Sequence, residues 1–196
     1  MSELYDKFIN HRIILASKSP RRQELLRGLG IEFEVSNPPG VEETYPASLT
    51  KTEIPVYLAG KKAGALDNLM DERTVIIAAD TIVWCNNTVI NKPAGRNDAI
   101  GFLNELSGRS HQVVSGVCVK SSNRTDSFYS LTTVYFRKLE ATEILFYVDN
   151  YRPYDKAGAY GIQEWIGYVG IESIEGSYFN VMGLPVDKVY KALREL

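Results

Sequence analysis

An α/β fold with a sheet flanked by helices is what this sequence predicts, on three observations. The apolar strand Ile13 to Leu15 passes through a hydroxyl-rich turn straight into a helix opened by Pro20. The unbroken apolar run from Thr74 to Ala79 has the composition of a strand covered on both faces. After them, strand-like runs and amphipathic helical stretches take turns to the end of the chain, without a repeat, a low-complexity tract or a linker.

The first junction is the most informative. Ser19 is a good N-cap type and Pro20 suits the first helical position, so the opening N–H groups and the positive end of the helix dipole face the turn at Ser17 to Ser19. Arg21 and Arg22 add fixed charge and bidentate donors there. Taken alone, Ser-x-Ser-Pro is an ordinary capped surface helix. Two arginines in its first turn oppose the dipole and call for an anion.

The remaining elements follow in order. Ile31 to Val35 is a strand, and the Pro38-Pro39-Gly40 break leads into the loop carboxylates Glu42 and Glu43. Thr52 to Asp67 is a helix, with Leu58, Ala59, Ala63 and Leu66 on one side and Lys61 and Lys62 within it. The strand from Thr74 stops at Asp80-Thr81; Ile82 to Trp84 and Val89 to Ile90 then form a hairpin around Asn86-Asn87. Asn91-Lys92-Pro93 closes that unit. A helix from Asp98 to Leu106 ends at Gly108, and two long strands, His111 to Lys120 and Phe128 to Arg137, pair across a short turn. Glu143 to Val148 and Val186 to Leu196 are helical. Between them, Asp155 to Gln163 is a glycine-rich segment that lets backbone approach a ligand closely, or simply turns a hairpin. Tyr178 and Phe179 are read as packing or subunit-interface residues.

Composition narrows the classes of function. The 196 residues are 44% hydrophobic and 23% charged, which suits a single domain, residues 1–196, built as two lobes with a sizeable core. A net charge of -2 speaks against a nucleic-acid or anionic-membrane surface, while leaving room for a local basic pocket. No apolar run reaches the roughly 18 residues of a membrane helix, and the polar start has no signal-peptide stretch, so a cytoplasmic location is expected. Cys85 and Cys118 are isolated, and His11 and His111 have no partner at zinc-ligand spacing. The cysteines read as reduced core residues. Any metal is expected to be a hard divalent cation, magnesium or manganese, on carboxylate and phosphate oxygens.

Asp80, the first charge after an apolar strand, stands where α/β proteins place ligand-binding groups, although Asp after a strand is also a common turn cap. Singly, Lys62, Lys92 and Glu42 read as solvated residues. Their combination changes that. In order along the chain, Ser17-Lys18-Ser19-Pro20-Arg21-Arg22, Glu42-Glu43, Lys62-Ala63, Ala79-Asp80-Thr81, Lys92-Pro93, His111-Gln112-Val113, Asp155 to Gln163 and Gly176 to Pro185 resemble the motif series of the Maf family of nucleoside triphosphate pyrophosphatases.

The resemblance spans nearly everything from Arg12 onward. It implies an elongated, curved mixed sheet flanked by helices, with two lobes around a central cleft, related to the inosine triphosphate pyrophosphatases. It also implies a cytoplasmic enzyme, often a homodimer, that converts a nucleoside triphosphate to the monophosphate and pyrophosphate with a divalent metal cation. The family is associated in bacteria with arrest of septum formation and with clearing noncanonical nucleotides. By this resemblance Asp80 is the proton acceptor, and Arg21, Thr81 and Gln163 set substrate preference. Their types resemble the branch acting on dTTP, UTP and modified pyrimidine analogues. Glu164-Trp165 departs from the glycine that commonly follows Gln163.

The chemistry suits these residue types. Cleaving the α,β-phosphoanhydride needs an activated water and neutralised phosphate oxygens. Asp80 serves the first need; Ser17, Ser19, Arg21, Arg22, Lys62 and Lys92 serve the second. Glu42 is the candidate metal ligand, shared with Asp80 or Asp155, and Lys156 lines the same cleft. One carboxylate on a metal-bound water fits both base and ligand descriptions. A P-loop kinase is excluded, since no Gly-x-x-x-x-Gly-Lys-Ser/Thr string occurs. The rival reading is a non-catalytic nucleotide-binding regulator of cell division.

Overall fold

The computed structural model describes residues 3–37 and 40–196; the expected Pro38-Pro39 break lies outside the described residues. Seven strands form one mixed sheet in the order β2-β1-β3-β5-β6-β7, with β4 also on β3. They are β1 (Arg12–Leu15), β2 (Glu34–Val35), β3 (Thr74–Cys85), β4 (Thr88–Ile90), β5 (Ser110–Lys120), β6 (Thr125–Phe136) and β7 (Ile171–Glu175). The helices are α1 (Glu3–Phe8), α2 (Pro20–Arg27), α3 (Glu53–Gly64), α4 (Arg96–Leu106), α5 (Ala141–Tyr151), α6 (Trp165–Gly170), α7 (Tyr178–Met182) and α8 (Val186–Glu195).

β1 runs parallel to both β2 and β3, whereas β4 is antiparallel to β3 and β7 antiparallel to β6. The parallel part explains the apolar runs. Ile13 to Leu15 and every residue from Thr74 to Asp80 are buried, as expected of strands covered on both faces. The β3–β4 turn holds Asn86 and Asn87 at φ 49° and 61°, the pair of left-handed residues that a two-residue hairpin favours.

The chain divides into two compact units. One comprises the chain up to Asp80, Ser115–Ser130 and Gly183–Leu196; the other comprises Thr81–Val114 and Leu131–Met182. In the first, Ile14, Ala16, Ile76, Ala78 and Cys118 from the strands pack on Ala59, Ala63 and Leu66 of the α3 region. Small residues allow close approach there: a Cβ on Gly116 would lie 2.2 Å from the backbone of Pro55 and Val56. In the second, α4 packs against α5. Leu103, Leu106, Ile144, Tyr147, Val148 and Ile166 are fully buried in it.

Three expectations need correction. The strand from Thr74 does not stop at Asp80: β3 runs on to Cys85, with Asp80 itself buried. A carboxylate normally ends a buried strand, but an ammonium at Asp80 removes that objection, as the site geometry shows. The helix expected over Thr52 to Asp67 ends at Gly64, and a separate 3-10 turn covers Asp67–Leu69. The strand expected over Ile31 to Val35 is reduced to Glu34–Val35. Tyr178 and Phe179 are 39% and 47% exposed and meet edge-on. Cys85 and Cys118 are free and buried, as read from the sequence.

Candidate functional site

The turn between β1 and α2 is held from inside. Ala16 donates its N–H to Ile77 O, which ties the end of β1 to β3. Ser17 is buried, and its Oγ accepts the Ser19 N–H at 3.2 Å. Ser19 occupies the N-cap position with Pro20 behind it, but its hydroxyl makes no capping bond. Ser17, two residues earlier, instead fixes the N-cap residue itself.

Arg22 leaves the first turn of α2 and donates Nε–H to Gly183 O at 2.8 Å and a terminal N–H to Ser17 Oγ at 3.4 Å. Burial pushes the Arg22 guanidinium below its ordinary pKa; the charges of Asp80 and Glu43 oppose that shift, and Arg21 adds to it. Arg22 therefore lies within the field of two carboxylates. Arg21 beside it is half-buried.

Lys62 joins those carboxylates. Its Nζ donates to Asp80 Oδ1 at 2.5 Å and to Glu43 Oε1 at 2.9 Å, with the Lys62 and Asp80 side chains only 13% and 10% exposed. α3 supplies the lysine, β3 the aspartate, and the loop after Gly40 the glutamate. The sequence singled out Glu42 of the pair. Glu42 is exposed and gives its backbone carbonyl to Lys61, whereas Glu43 turns its carboxylate to Lys62. Nothing in a Glu-Glu dipeptide on a loop tells which side chain points inward.

Ser17, Arg22, Glu43, Lys62 and Asp80 all belong to the first unit; Thr81, Lys92, Asp155, Lys156 and Gln163 belong to the second. Thr81 is half-buried on β3 and Lys92 is exposed just beyond β4. Asn91 accepts the Gly158 N–H, which links the Lys92 loop to the glycine-rich segment. Gly158 sits at φ 71°, and an added Cβ would meet Val83 at 3.0 Å, so glycine is required by both backbone and space.

Lys156 is buried, and its ammonium pairs with Asp155 at 2.7 Å and Glu164 at 3.1 Å. Glu164 also accepts the phenol O–H of Tyr147, whose oxygen in turn accepts the Gly161 N–H at 3.0 Å. Gln163 Oε1 is buried with no hydrogen-bond partner. Tyr147 was invisible to the sequence reading; within an apolar helix it passes for a core residue. His111 lies buried against Phe136 and Tyr160, with Nε2 and Tyr160 Oη 2.7 Å apart. Burial pushes His111 down to about 4 and raises the Tyr160 phenol.

Among the described residues, no group of three or more His, Cys, Asp or Glu is placed to hold a metal by protein side chains alone. No helix of the described residues is long and apolar enough to cross a membrane.

Comparison with known proteins agrees with this architecture. The chain is 51% identical over 186 residues to the dTTP/UTP pyrophosphatase of Bacteroides fragilis strain YCH46, covering 95% of this chain and 96% of the relative. It is 53% identical over 186 residues to the protein of that name from Phocaeicola vulgatus, with the same coverage. Among solved structures, a HAM1 protein from Coxiella burnetii shares the fold: TM-score 0.52 at 18% identity, covering 95% of this chain and 100% of that one. The family model for Maf-like proteins matches residues 12–196, from the first residue of β1 through every candidate site residue, and the chain belongs to the Maf family.

Proposed function

We propose that this protein hydrolyses nucleoside triphosphates, with dTTP, UTP and modified pyrimidine analogues as substrates, to the monophosphate and pyrophosphate. The observation that carries the reading is Lys62 bridging the buried Asp80 to Glu43 in the field of Arg22. Two cations and two carboxylates collected beside a hydroxyl-rich helix N-terminus suit a reaction that gathers negative charge and moves one proton. The relatives named dTTP/UTP pyrophosphatase support the choice of substrate.

In this reading Asp80 takes the proton of the water that attacks the α-phosphorus, as the bond to the β-phosphate oxygen breaks and pyrophosphate leaves. The proton ends on the Asp80 carboxylate and the bonding pair on pyrophosphate. Lys62 holds Asp80 in place by its 2.5 Å contact. Arg21, Arg22 and the turn at Ser17 and Ser19 hold phosphate oxygens, with Lys92 contributing from its loop. Thr81 and Gln163 select the base.

A divalent cation, magnesium or manganese, fits the donors present. Asp80 and Glu43, with Glu42 next to it, offer hard oxygen ligands that already converge on one positive group. Such ions often bind through one or two carboxylates and complete their shell with substrate phosphates and water. When bound it would neutralise phosphate charge. The same reading places the enzyme in the cytoplasm, as a homodimer working on free nucleotides.

The test is direct. Purified protein incubated with magnesium and each nucleoside triphosphate in turn should release pyrophosphate and monophosphate from dTTP and UTP, and excess chelator should stop it. Inorganic phosphate released in place of pyrophosphate would overturn the reaction. Nucleotide binding without turnover would favour the regulator reading.

A further inference from the structure

Glu164 stands beside the residue proposed to read the base, and its surroundings fix where its charge lies. The carboxylate is held from two sides, by the Tyr147 phenol and the Lys156 ammonium. Gly161 lies beneath it. An added Cβ there would lie 3.0 Å from Glu164 Oε2 and 3.1 Å from Gln163 Nε2, so the carboxylate oxygen and the amide nitrogen both border the space over Gly161. Gln163 Oε1, at the other end of the amide, is buried with no hydrogen-bond partner.

A carboxylate attracts the N–H end of an amide and repels its oxygen. A side-chain amide otherwise has two orientations that differ by a flip, and the flip exchanges a donor for an acceptor. With Glu164 fixed by Tyr147 and Lys156, the Gln163 nitrogen stays on the Glu164 side and the oxygen is committed as an acceptor awaiting a donor. Uracil and thymine present such a donor at N3–H. Cytosine presents an acceptor at N3, which would face the Gln163 oxygen lone pair to lone pair.

We propose that Glu164 is a positioning residue for base selection: its carboxylate locks the flip state of the Gln163 amide so that Oε1 accepts a ring N–H, favouring bases that carry N3–H over cytosine. This rests on the reading of Gln163 as the base-recognising residue.

The experiment compares kcat/KM for UTP and CTP in the wild-type protein, Glu164→Gln and Tyr147→Phe. A neutral amide at position 164 can face Gln163 with either end, so Glu164→Gln should lower the UTP:CTP ratio about tenfold, with kcat on UTP kept within about threefold. Tyr147→Phe breaks the same hydrogen-bond network but keeps the carboxylate on Lys156, and should preserve the ratio. An unchanged ratio in Glu164→Gln, or an equal fall in both variants, overturns the proposal and leaves the pyrophosphatase reading standing. Should Glu164→Gln fail to fold, the wild-type protein decides with N3-methyl-UTP, which lacks the donor. It should be turned over at least about tenfold less efficiently than UTP, and equal turnover overturns the proposal. Absence of wild-type hydrolysis of every nucleotide would bring down the activity and this inference together.

Discussion

At the scale of single residues, the proposed chemistry divides between Asp80 and the two arginines. Asp80→Asn keeps the shape of the side chain and loses the proposed proton acceptor, so turnover should fall by about 10² to 10⁴ while nucleotide binding persists. Pyrophosphate release and equilibrium nucleotide binding, measured on one preparation, check this; near-normal turnover would remove Asp80 from its role. Arg21 and Arg22 should separate differently. Arg22 is tied to Gly183 O and Ser17, so Arg22→Ala strips a partner from a backbone carbonyl and should cost about 1–3 kcal/mol of stability as well as activity toward every nucleotide alike. Arg21→Ala should change the ranking among dTTP, UTP, CTP and GTP. Parallel losses across the four substrates in both variants would contradict this division.

At the scale of elements, the limiting contact is between β5 and the start of α3. An added methyl on Gly116 would lie 2.2 Å from Pro55 and Val56 backbone atoms, which have no rotamer to change. Gly116→Ala should therefore destabilise by about 1–3 kcal/mol, at the upper end of that range, or roughly 5–10 °C in Tm for a chain of this size. Thermal unfolding followed by far-UV circular dichroism measures it, and an unchanged Tm would show that α3 moves at no cost. Local pattern made most elements legible: the burial of Thr74 to Ala79, the Asn86-Asn87 hairpin and the start of α2 at Pro20 all follow from it. What was hidden depends on partners distant in sequence. β3 continues through Asp80 because Lys62, 18 residues away, neutralises the charge. Glu43 turns its carboxylate to the same lysine, 19 residues away. The short α6 and α7 and strand β7 were missed because Trp165–Gly170, Ile171–Glu175 and Tyr178–Met182 are too brief to show a period.

For the whole molecule, the buried histidine sets a dependence of stability on pH. His111 titrates at about 4 in the fold against an ordinary 6.5, so between those values the unfolded chain binds a proton that the folded chain refuses. Stability contributed by neutral His111 is present above pH 6.5 and is lost as pH falls toward 4. From pH 7 to pH 5 the loss from this group is about 2 kcal/mol. Urea unfolding of the wild-type protein and of His111→Phe at both pH values isolates it: the wild-type midpoint should fall more steeply, and parallel shifts would show that other groups govern the acid limb.

The bond from Arg22 to Gly183 O spans 161 positions. A chain made from its N-terminus synthesises the β1 to α2 turn 161 positions before Gly183, so during translation the guanidinium waits for this acceptor. Domains usually fold as their chains emerge. Here the turn proposed to hold phosphate gains one of its contacts only from a segment made much later. Nascent chains that end before Gly183 lack this acceptor for Arg22 and the buried face of helix α8, so the surroundings of the arginine are completed only after that residue is made.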